Sequence, residues 1–181
     1  MPALLSCCEF ETRRLIVKEW HSLSSNEWHE EELAEVVARM LTESVTRSLP
    51  PAWQGGYSLA RARAWVEERD AEGTTLLAID LETRRPAGLV ILHLAATETV
   101  GAGADVRLGY LLAEESWGRG LASELVAGLV TWCRGQSALS SITGGVAPDN
   151  PASARVLEKV GFEPLASEGE ATGEQLYRLT L

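Results

Sequence analysis

Leu108-Gly-Tyr-Leu-Leu-Ala-Glu-Glu-Ser-Trp-Gly-Arg-Gly-Leu-Ala-Ser-Glu124 is the stretch on which the reading of this chain turns. It reads as a strand, a turn with two glycines, and the start of a helix that ends near Cys133. Gly118 and Gly120 lack Cβ atoms, so the backbone there can take positive φ and approach a ligand closely. Leu121, Leu125, Leu129 and Cys133 recur at four-residue spacing, with Ala122, Val126 and Val130 beside them, which predicts an amphipathic helix. The first turn of such a helix has amides without partners and a partial positive charge. A glycine turn feeding it makes an anion site, most naturally for phosphate. By itself the Gly-x-Gly fits a tight turn as well as a phosphate cradle.

The 181 residues suffice for one domain with a full core, and a hydrophobic content of 45% is ordinary for a globular chain. A net charge of −10 argues against a nucleic-acid surface, which needs basic patches. It suits a cationic substrate such as an amine. Cys7, Cys8 and Cys133 show no metal-ligand spacing, and the adjacent pair bonds poorly with itself, which points to a reducing cytoplasm. Cys133 falls on the apolar stripe of its helix and reads as a core residue. No apolar run reaches the roughly 18 residues that span a bilayer, and no secretory signal is expected at the N-terminus.

The remaining elements follow in order. Glu9 to Trp20 alternates around Leu-Ile-Val and reads as one strand. Ser24, Ser25 or Asn26 can cap a helix from about Glu27, with Leu33, Val36, Val37, Met40, Leu41 and Val45 as its apolar stripe and Glu30, Glu31, Glu32 and Glu35 on its solvated face. Ser48 to Gly56 is a Pro/Gly loop whose Trp53 is expected to tuck into the core. Ser58 starts a second helix that stops near Gly73. Thr74–Asp80 and Ala87–Ala95 form a hairpin around Glu82-Thr-Arg-Arg-Pro86, and Asp105–Ala113 is a further strand. Ser140–Ala147 is a strand, Asn150-Pro151 opens a short helix to Gly161, and Phe162–Leu165 and Gln175–Leu181 are the last strands. Without repeats or linkers, residues 1–181 read as one α/β (α+β) domain.

Two motifs now stand together: Trp117-Gly-Arg-Gly-Leu-Ala122 after one strand, and Asn150-Pro-Ala-Ser-Ala-Arg-Val-Leu-Glu-Lys-Val-Gly-Phe162 after another. The combination resembles the GNAT N-acetyltransferase superfamily, in particular its RimJ/RimL-like (ribosomal-protein-alanine acetyltransferase-like) branch. Glu11-Thr-Arg-Arg-Leu-Ile-Val17 is similar to the Thr-x-Arg-Leu-x-Leu start of that branch. The resemblance extends over nearly the whole chain. It implies a mixed, mostly antiparallel central sheet flanked by helices and splayed at the central strands.

It also implies acetyl-CoA as donor, and the cysteine spacing gives no reason to expect a metal. In the family the loop follows Gln/Arg-x-x-Gly-x-Gly/Ala. Gly120 and Ala122 match, and Trp117 replaces the Gln or Arg. Backbone amides from Trp117 through Gly118, Arg119, Gly120, Leu121 and Ala122 to Ser123 are then expected to hold the CoA pyrophosphate, with Arg119 adding charge. Leu111, Leu112 and Ala113 match the positions whose main chain holds the pantetheine arm. The Leu112 amide is expected to face the thioester carbonyl, a contact worth about 3 kcal/mol by analogy with other oxyanion donors. Asn150 and Ser153 match the Asn-x-x-Ser that touches the arm near sulfur.

The proton chemistry departs from the family pattern. Leu157 stands where many members have the tyrosine acid, which leaves Ser153, solvent or the amine's own proton to protonate the thiolate. Arg107 stands where the branch often has a glutamate base. His93 is the leading base candidate, followed by Asp105 and then Glu98; Arg107 is free to bind a carboxylate on the acceptor. A base matters because an amine with pKa near 10 is only about a thousandth neutral at pH 7.

The expected activity is direct acetyl transfer in a ternary complex to a primary amine, either a peptide N-terminus or a small molecule. No nucleic-acid or membrane partner is expected, and monomer and homodimer stay equally open. The alternative is a non-catalytic CoA-binding module that works through a protein partner. A nucleotide-binding domain fits poorly, because no Lys-Ser/Thr follows the glycines and their spacing misses the dinucleotide fingerprint.

Overall fold

The computed structural model describes residues 5–24, 32–95, 103–166 and 173–181. The expected helix start near Glu27 with its caps Ser25 and Asn26, the solvated Glu30 and Glu31, the base candidate Glu98 and the first residues of the turn at Gly101 lie outside them. Among the described residues, eight strands form one sheet in the order β1-β2-β3-β4-β5-β6-β8-β7. They are β1 Phe10–Glu11, β2 Leu15–Glu19, β3 Thr74–Asp80, β4 Pro86–Ala95, β5 Ala104–Leu112, β6 Leu139–Val146, β7 Glu163–Pro164 and β8 Gln175–Thr180. Every pairing is antiparallel except β5 with β6. The helices are α1 Leu33–Met40, α2 Glu43–Thr46, α3 Leu59–Glu72, α4 Leu121–Arg134 and α5 Pro151–Val160. The molecule is a single α+β domain, as its sequence predicts.

Alternation along the strands sends side chains into two cores, one on each face of the sheet. Val17, Leu76, Val106, Leu108 and Leu112 meet Leu121, Leu125 and Leu129 of α4 and Leu157 of α5. Ile16, Leu77, Leu89, Ile91 and Leu111 meet Val36, Val37 and Met40 of α1 and Trp65 of α3. Cys133 is fully buried in the first core, and burial pushes its thiol up to about 12. Cys8 is buried in the same core and its thiol is raised further, by burial and then by Cys133.

Two elements differ from the sequence reading. The strand expected from Glu9 to Trp20 is broken by a turn at Thr12–Arg14. The Thr12 hydroxyl accepts hydrogen bonds from the amides of Arg14 and Leu15, at 3.3 and 3.0 Å, and folds β1 back on β2. The helix expected to run through Val45 stops after Met40. Thr42 takes extended geometry and caps α2, accepting from the Val45 amide at 3.3 Å. Threonine gives up little by leaving a helix interior and gains a cap by doing so.

The placement of the site follows from where β5 and β6 part. Their parallel pairing runs from Ala104↔Leu139 to Leu108↔Gly144 and ends there. Beyond it β5 stays with β4 as far as Gly88↔Leu112, while β6 stays with β8 as far as Val146↔Gln175. The sheet therefore opens into a cleft floored by the ends of β5 and β6, the splay that the resemblance implies. Glycine turn and α4 lie at one mouth of it, α5 along one side.

Candidate functional site

Local chemistry builds the glycine turn as the sequence predicts. Gly118 and Gly120 have φ of 71° and 75°, in the left-handed region that glycine alone enters without strain. Gly120 is the N-cap of α4, and its carbonyl accepts from Glu124. Among the described residues, nothing accepts a hydrogen bond from the amides of Leu121, Ala122 and Ser123. The Trp117 amide, expected among the pyrophosphate donors, is instead taken by the Glu114 carbonyl at 3.1 Å, and the open set of donors at this helix N-terminus begins after it.

The turn is clamped from behind by charges. Glu124, in the first turn of α4, accepts from the Thr12 hydroxyl at 2.6 Å and from the Arg14 amide and Nε at 2.8 and 2.7 Å. Arg14 Nη1 donates onward to the Arg119 carbonyl at 2.9 Å. Arg14 Nη2 lies 3.8 Å from where a Gly120 Cβ would stand, and its charge is met by Glu124 Oε2 at 2.6 Å. Arg119 differs from expectation: its guanidinium pairs with the buried Asp80 at 2.9 Å, which neutralises it. Asp80 in turn shapes the β3–β4 hairpin by accepting from the amides of Glu82 and Thr83.

The clamp gives the domain an acid-sensitive element. Burial works to raise the Glu124 carboxyl, but hydrogen bonds from Thr12 and Arg14 outweigh it and hold the group below the usual carboxylate range. Burial is likewise outweighed at Asp80, by the amides of Thr83 and Glu82 and by Arg119. Both folded-state values are depressed. Each group therefore stabilises the fold fully above its unfolded pKa, and loses that contribution as pH falls through the folded value. Glu124→Gln is expected to cost about 2 kcal/mol at pH 7, the worth of hydrogen bonds to a charged group. Below about pH 4 the difference should shrink. Urea denaturation of both proteins across this range checks it, and a difference that stays constant would contradict it.

Strand parity decides which main-chain groups face the cleft. The Ala113 amide donates to the Ala87 carbonyl at 3.0 Å, and the register pairs Leu89 with Leu111. Hydrogen bonding in an antiparallel ladder alternates, so the groups of Leu111 and the amide of Ala113 point at β4. The Ala113 carbonyl is also taken, by the Ser116 amide at 2.9 Å. Tyr110 and Leu112 point the other way, where β6 has left. Of the three expected residues, only Leu112 thus offers its main chain to the cleft, and Tyr110 joins it. The Leu112 carbonyl is occupied by Trp117 Nε1 at 3.0 Å, while its amide has no partner among the described residues. The Trp117 ring is 48% exposed and lies over this end of the cleft.

Two cavities meet in the cleft. One, of about 440 Å³, is lined by Leu111, Leu112, Trp117, Gly118 and Gly120, by the first α4 residues Leu121 to Ser123, and by Asn150 and Ser153. Ala113 and Arg119 do not line it. The other, of about 250 Å³, is lined on its far side by Trp53, His93, Arg107 and Glu174. The two share Leu49, Tyr110, Leu111, Asn150 and Ser153.

At this junction the Tyr110 hydroxyl lies 2.8 Å from Ser153 Oγ. Burial raises the Tyr110 phenol above its usual value although the Ser153 hydrogen bond opposes the rise, so the group stays protonated at neutral pH. Asn150 caps α5 by accepting from the Ser153 amide at 3.1 Å. That confirms its reading as a cap and fixes Ser153 at the first turn. Leu157, at the position of the family tyrosine, is 1% exposed and serves as core.

His93 donates from Nδ1 to the Glu72 carbonyl at 3.1 Å. A carbonyl only accepts, so the Nδ1 position carries the proton and the neutral ring keeps its lone pair on Nε2. Asp105, the second base candidate, is occupied instead: it accepts from Ser141 and Thr143 hydroxyls at 2.6 and 3.0 Å and lines neither cavity. Trp53 is half-buried rather than core. It stands edge-on to Trp65 with centroids 5.5 Å apart, carries the Arg69 guanidinium over its face, and still borders the second cavity. Sequence reasoning missed Tyr110, Arg14 and Glu174. Of these only Tyr110 had a local signal, its parity with Leu112.

Among the described residues no cluster of three or more His, Cys, Asp and Glu side chains is placed to hold a metal, and no helix is long and apolar enough to cross a membrane. No curated protein matches the chain. Solved structures share its fold. A GNAT-family acetyltransferase from Bacillus anthracis superposes with a TM-score of 0.74 at 17% identity, over 96% of this chain and 98% of its own. AAC(6')-Ib in complex with ribostamycin and coenzyme A gives 0.69 at 19% identity, over 91% of each chain. Ribosomal-protein-S5-alanine acetyltransferase from Vibrio fischeri gives 0.60 at 17% identity, over 96% of each. The sequence profile of the acetyltransferase (GNAT) domain matches residues 25–163, most of the chain. With that match in hand, this chain belongs to the GNAT acetyltransferase family, whose members use acetyl-CoA.

Proposed function

We propose that this chain is an N-acetyltransferase of the RimJ/RimL-like type, acting in the cytoplasm and moving the acetyl group directly to a primary amine in a ternary complex. The observation that carries the reading is the meeting of two cavities at Tyr110 and Ser153, one reached through open helix amides and the other bordered by an oriented histidine. Relatives solved with coenzyme A and ribostamycin, or named for a ribosomal protein, support amine acceptors of this kind.

Acetyl-CoA supplies an acetyl group already activated as a thioester. The amides from Gly118 to Ser123 bind its pyrophosphate, the Arg14–Glu124 pair holds the turn that carries them, and Trp117 covers the arm. The arm lies in the gap between β5 and β6, where Tyr110 and Leu112 offer unpaired main-chain groups. His93 Nε2 takes a proton from the acceptor ammonium, leaving the neutral amine to attack the thioester carbon. The Leu112 amide holds the negative charge that develops on the carbonyl oxygen. As the new C–N bond forms and the C–S bond breaks, Ser153 Oγ gives its proton to the departing sulfur. Tyr110, kept protonated by burial, replaces that proton across the 2.8 Å contact and is reprotonated from solvent, which also takes the second proton from the newly acylated nitrogen.

The test is release of free CoA thiol over a panel of amines, with acetyl-CoA in excess. Steady release with at least one amine is expected. His93→Gln should lower kcat/KM by about a hundredfold, the usual worth of a general base. Acetyl-CoA binding without release for any amine would instead favour a binding module.

A further inference from the structure

Resting on the transferase reading, we infer that the acceptor is a compact amine that also carries a carboxylate, an α-amino acid in the simplest case, held between Glu174 and Arg107. The second cavity is lined by charges of both signs. Arg107 comes from β5, beside His93 in register, and Glu174 precedes β8. Neither is fully satisfied by the described residues. The Arg107 contact is a loose one, from Nε to Asp105 Oδ2 at 3.6 Å, and its terminal nitrogens are free among the described residues. Ser141 and Thr143 hold Asp105 by Oδ1, which leaves Oδ2 toward Arg107 Nε and away from its terminal nitrogens. The planar Arg107 fork is thus available for two parallel hydrogen bonds to a carboxylate. The Glu174 carboxylate has no hydrogen bond or ion pair among the described residues, so it offers two free oxygens to an ammonium.

Glycines clear the space between these groups. On β5, Arg107, Gly109 and Leu111 share a face, and the parallel pairing Arg107↔Thr143 sets Thr143 and Gly145 on the same face of β6. A Cβ on Gly109 would meet no protein atom nearer than 3.8 Å, and its φ is not positive. Neither packing nor backbone geometry asks for glycine there; the missing side chain leaves the cavity open beside Arg107. A Cβ on Gly145 would stand 2.8 Å from Glu174 Oε2, so glycine there lets the carboxylate lie against the strand. A guanidinium with free terminal nitrogens and a carboxylate without a partner among the described residues, across one small cavity, match a ligand of the reverse polarity. With the carboxylate on Arg107 and the ammonium on Glu174, the amine lies beside Gly145, on the sheet face that carries His93 and across Arg107 from it. A simple polyamine would leave Arg107 facing added positive charge.

The test measures CoA release with the proteinogenic L-amino acids, each beside its α-carboxamide, for the natural chain, Arg107→Gln and Glu174→Gln. At least one amino acid should be used with kcat/KM about 30-fold above that of its amide, the scale of a partly exposed charge pair. Arg107→Gln should reduce that preference to within about threefold, and Glu174→Gln should raise KM about tenfold for acid and amide alike. Both residues line an open cavity, so thermal melting of the variants should stay close to that of the natural chain. Equal use of acids and amides by the natural chain, or a preference that survives Arg107→Gln, overturns the inference. Release with polyamines or aminoglycosides but with no amino acid also overturns it and leaves the transferase standing. No release with any amine overturns the transferase itself, and the inference with it.

Discussion

Gly120→Val is expected to bind acetyl-CoA at least about a hundredfold more weakly than the natural chain while keeping its fold. At φ 75° a β-branched residue is strained, and the left-handed region costs a non-glycine residue about 1–2 kcal/mol. That strain should lower the melting temperature by only about 5 °C in a domain of this size. Packing does not add to it, since the nearest atom to a Cβ would be Arg14 Nη2 at 3.8 Å. The effect on the ligand is larger. The new side chain would stand at the N-cap of α4, before the free amides of Leu121, Ala122 and Ser123. Losing two charge-assisted hydrogen bonds at about 1.5–3 kcal/mol each accounts for more than a hundredfold. Calorimetry for affinity and thermal melting for fold separate the two consequences. Unchanged affinity in a folded variant would mean that the pyrophosphate lies elsewhere.

Leu112→Pro should lower kcat by about a hundredfold or more, with acetyl-CoA affinity held within about tenfold. Proline removes one N–H. At position 112 that N–H points into the gap left by β6, so no ladder hydrogen bond is lost, the situation in which strands tolerate proline. The pyrophosphate site is untouched. The donor facing the thioester oxygen disappears, and donors of that kind act on kcat; the Leu112 packing lost against α4 acts on stability instead. Leu111→Pro is the matched control. Its amide faces Leu89 across the ladder, so the same change one residue earlier should destabilise the fold by about 3 kcal/mol, read by urea denaturation. If the two variants behaved alike, the parity assigned to the end of β5 would be wrong.

What could be read from the sequence was local. The φ > 0 demand at Gly118 and Gly120, the apolar stripe of α4 and the cap at Asn150-Pro151 are written in adjacent residues, and the structure carries all three. Long-range geometry was not legible in the same way. Nothing near Arg119 says that its guanidinium turns to Asp80, whose carboxylate the β3–β4 hairpin buries. Nothing near Glu174 says that Gly145 opens a place for it. The break at Leu41 reflects a contest between one continuous apolar stripe and the cap offered by Thr42, which composition alone does not decide. Tyr110 shows the boundary most clearly. Its parity with Leu112 was available from the strand, but its reach to Ser153 depends on where α5 packs after the sheet has parted.

The central claim is that the glycine turn and the parted strands form a site for acetyl-CoA. Isothermal titration of acetyl-CoA into the full chain measures it directly. One site per chain with a dissociation constant in the micromolar range, about −8 kcal/mol at 1 μM, is the expected result. No binding up to about 1 mM, weaker than about −4 kcal/mol, would contradict it.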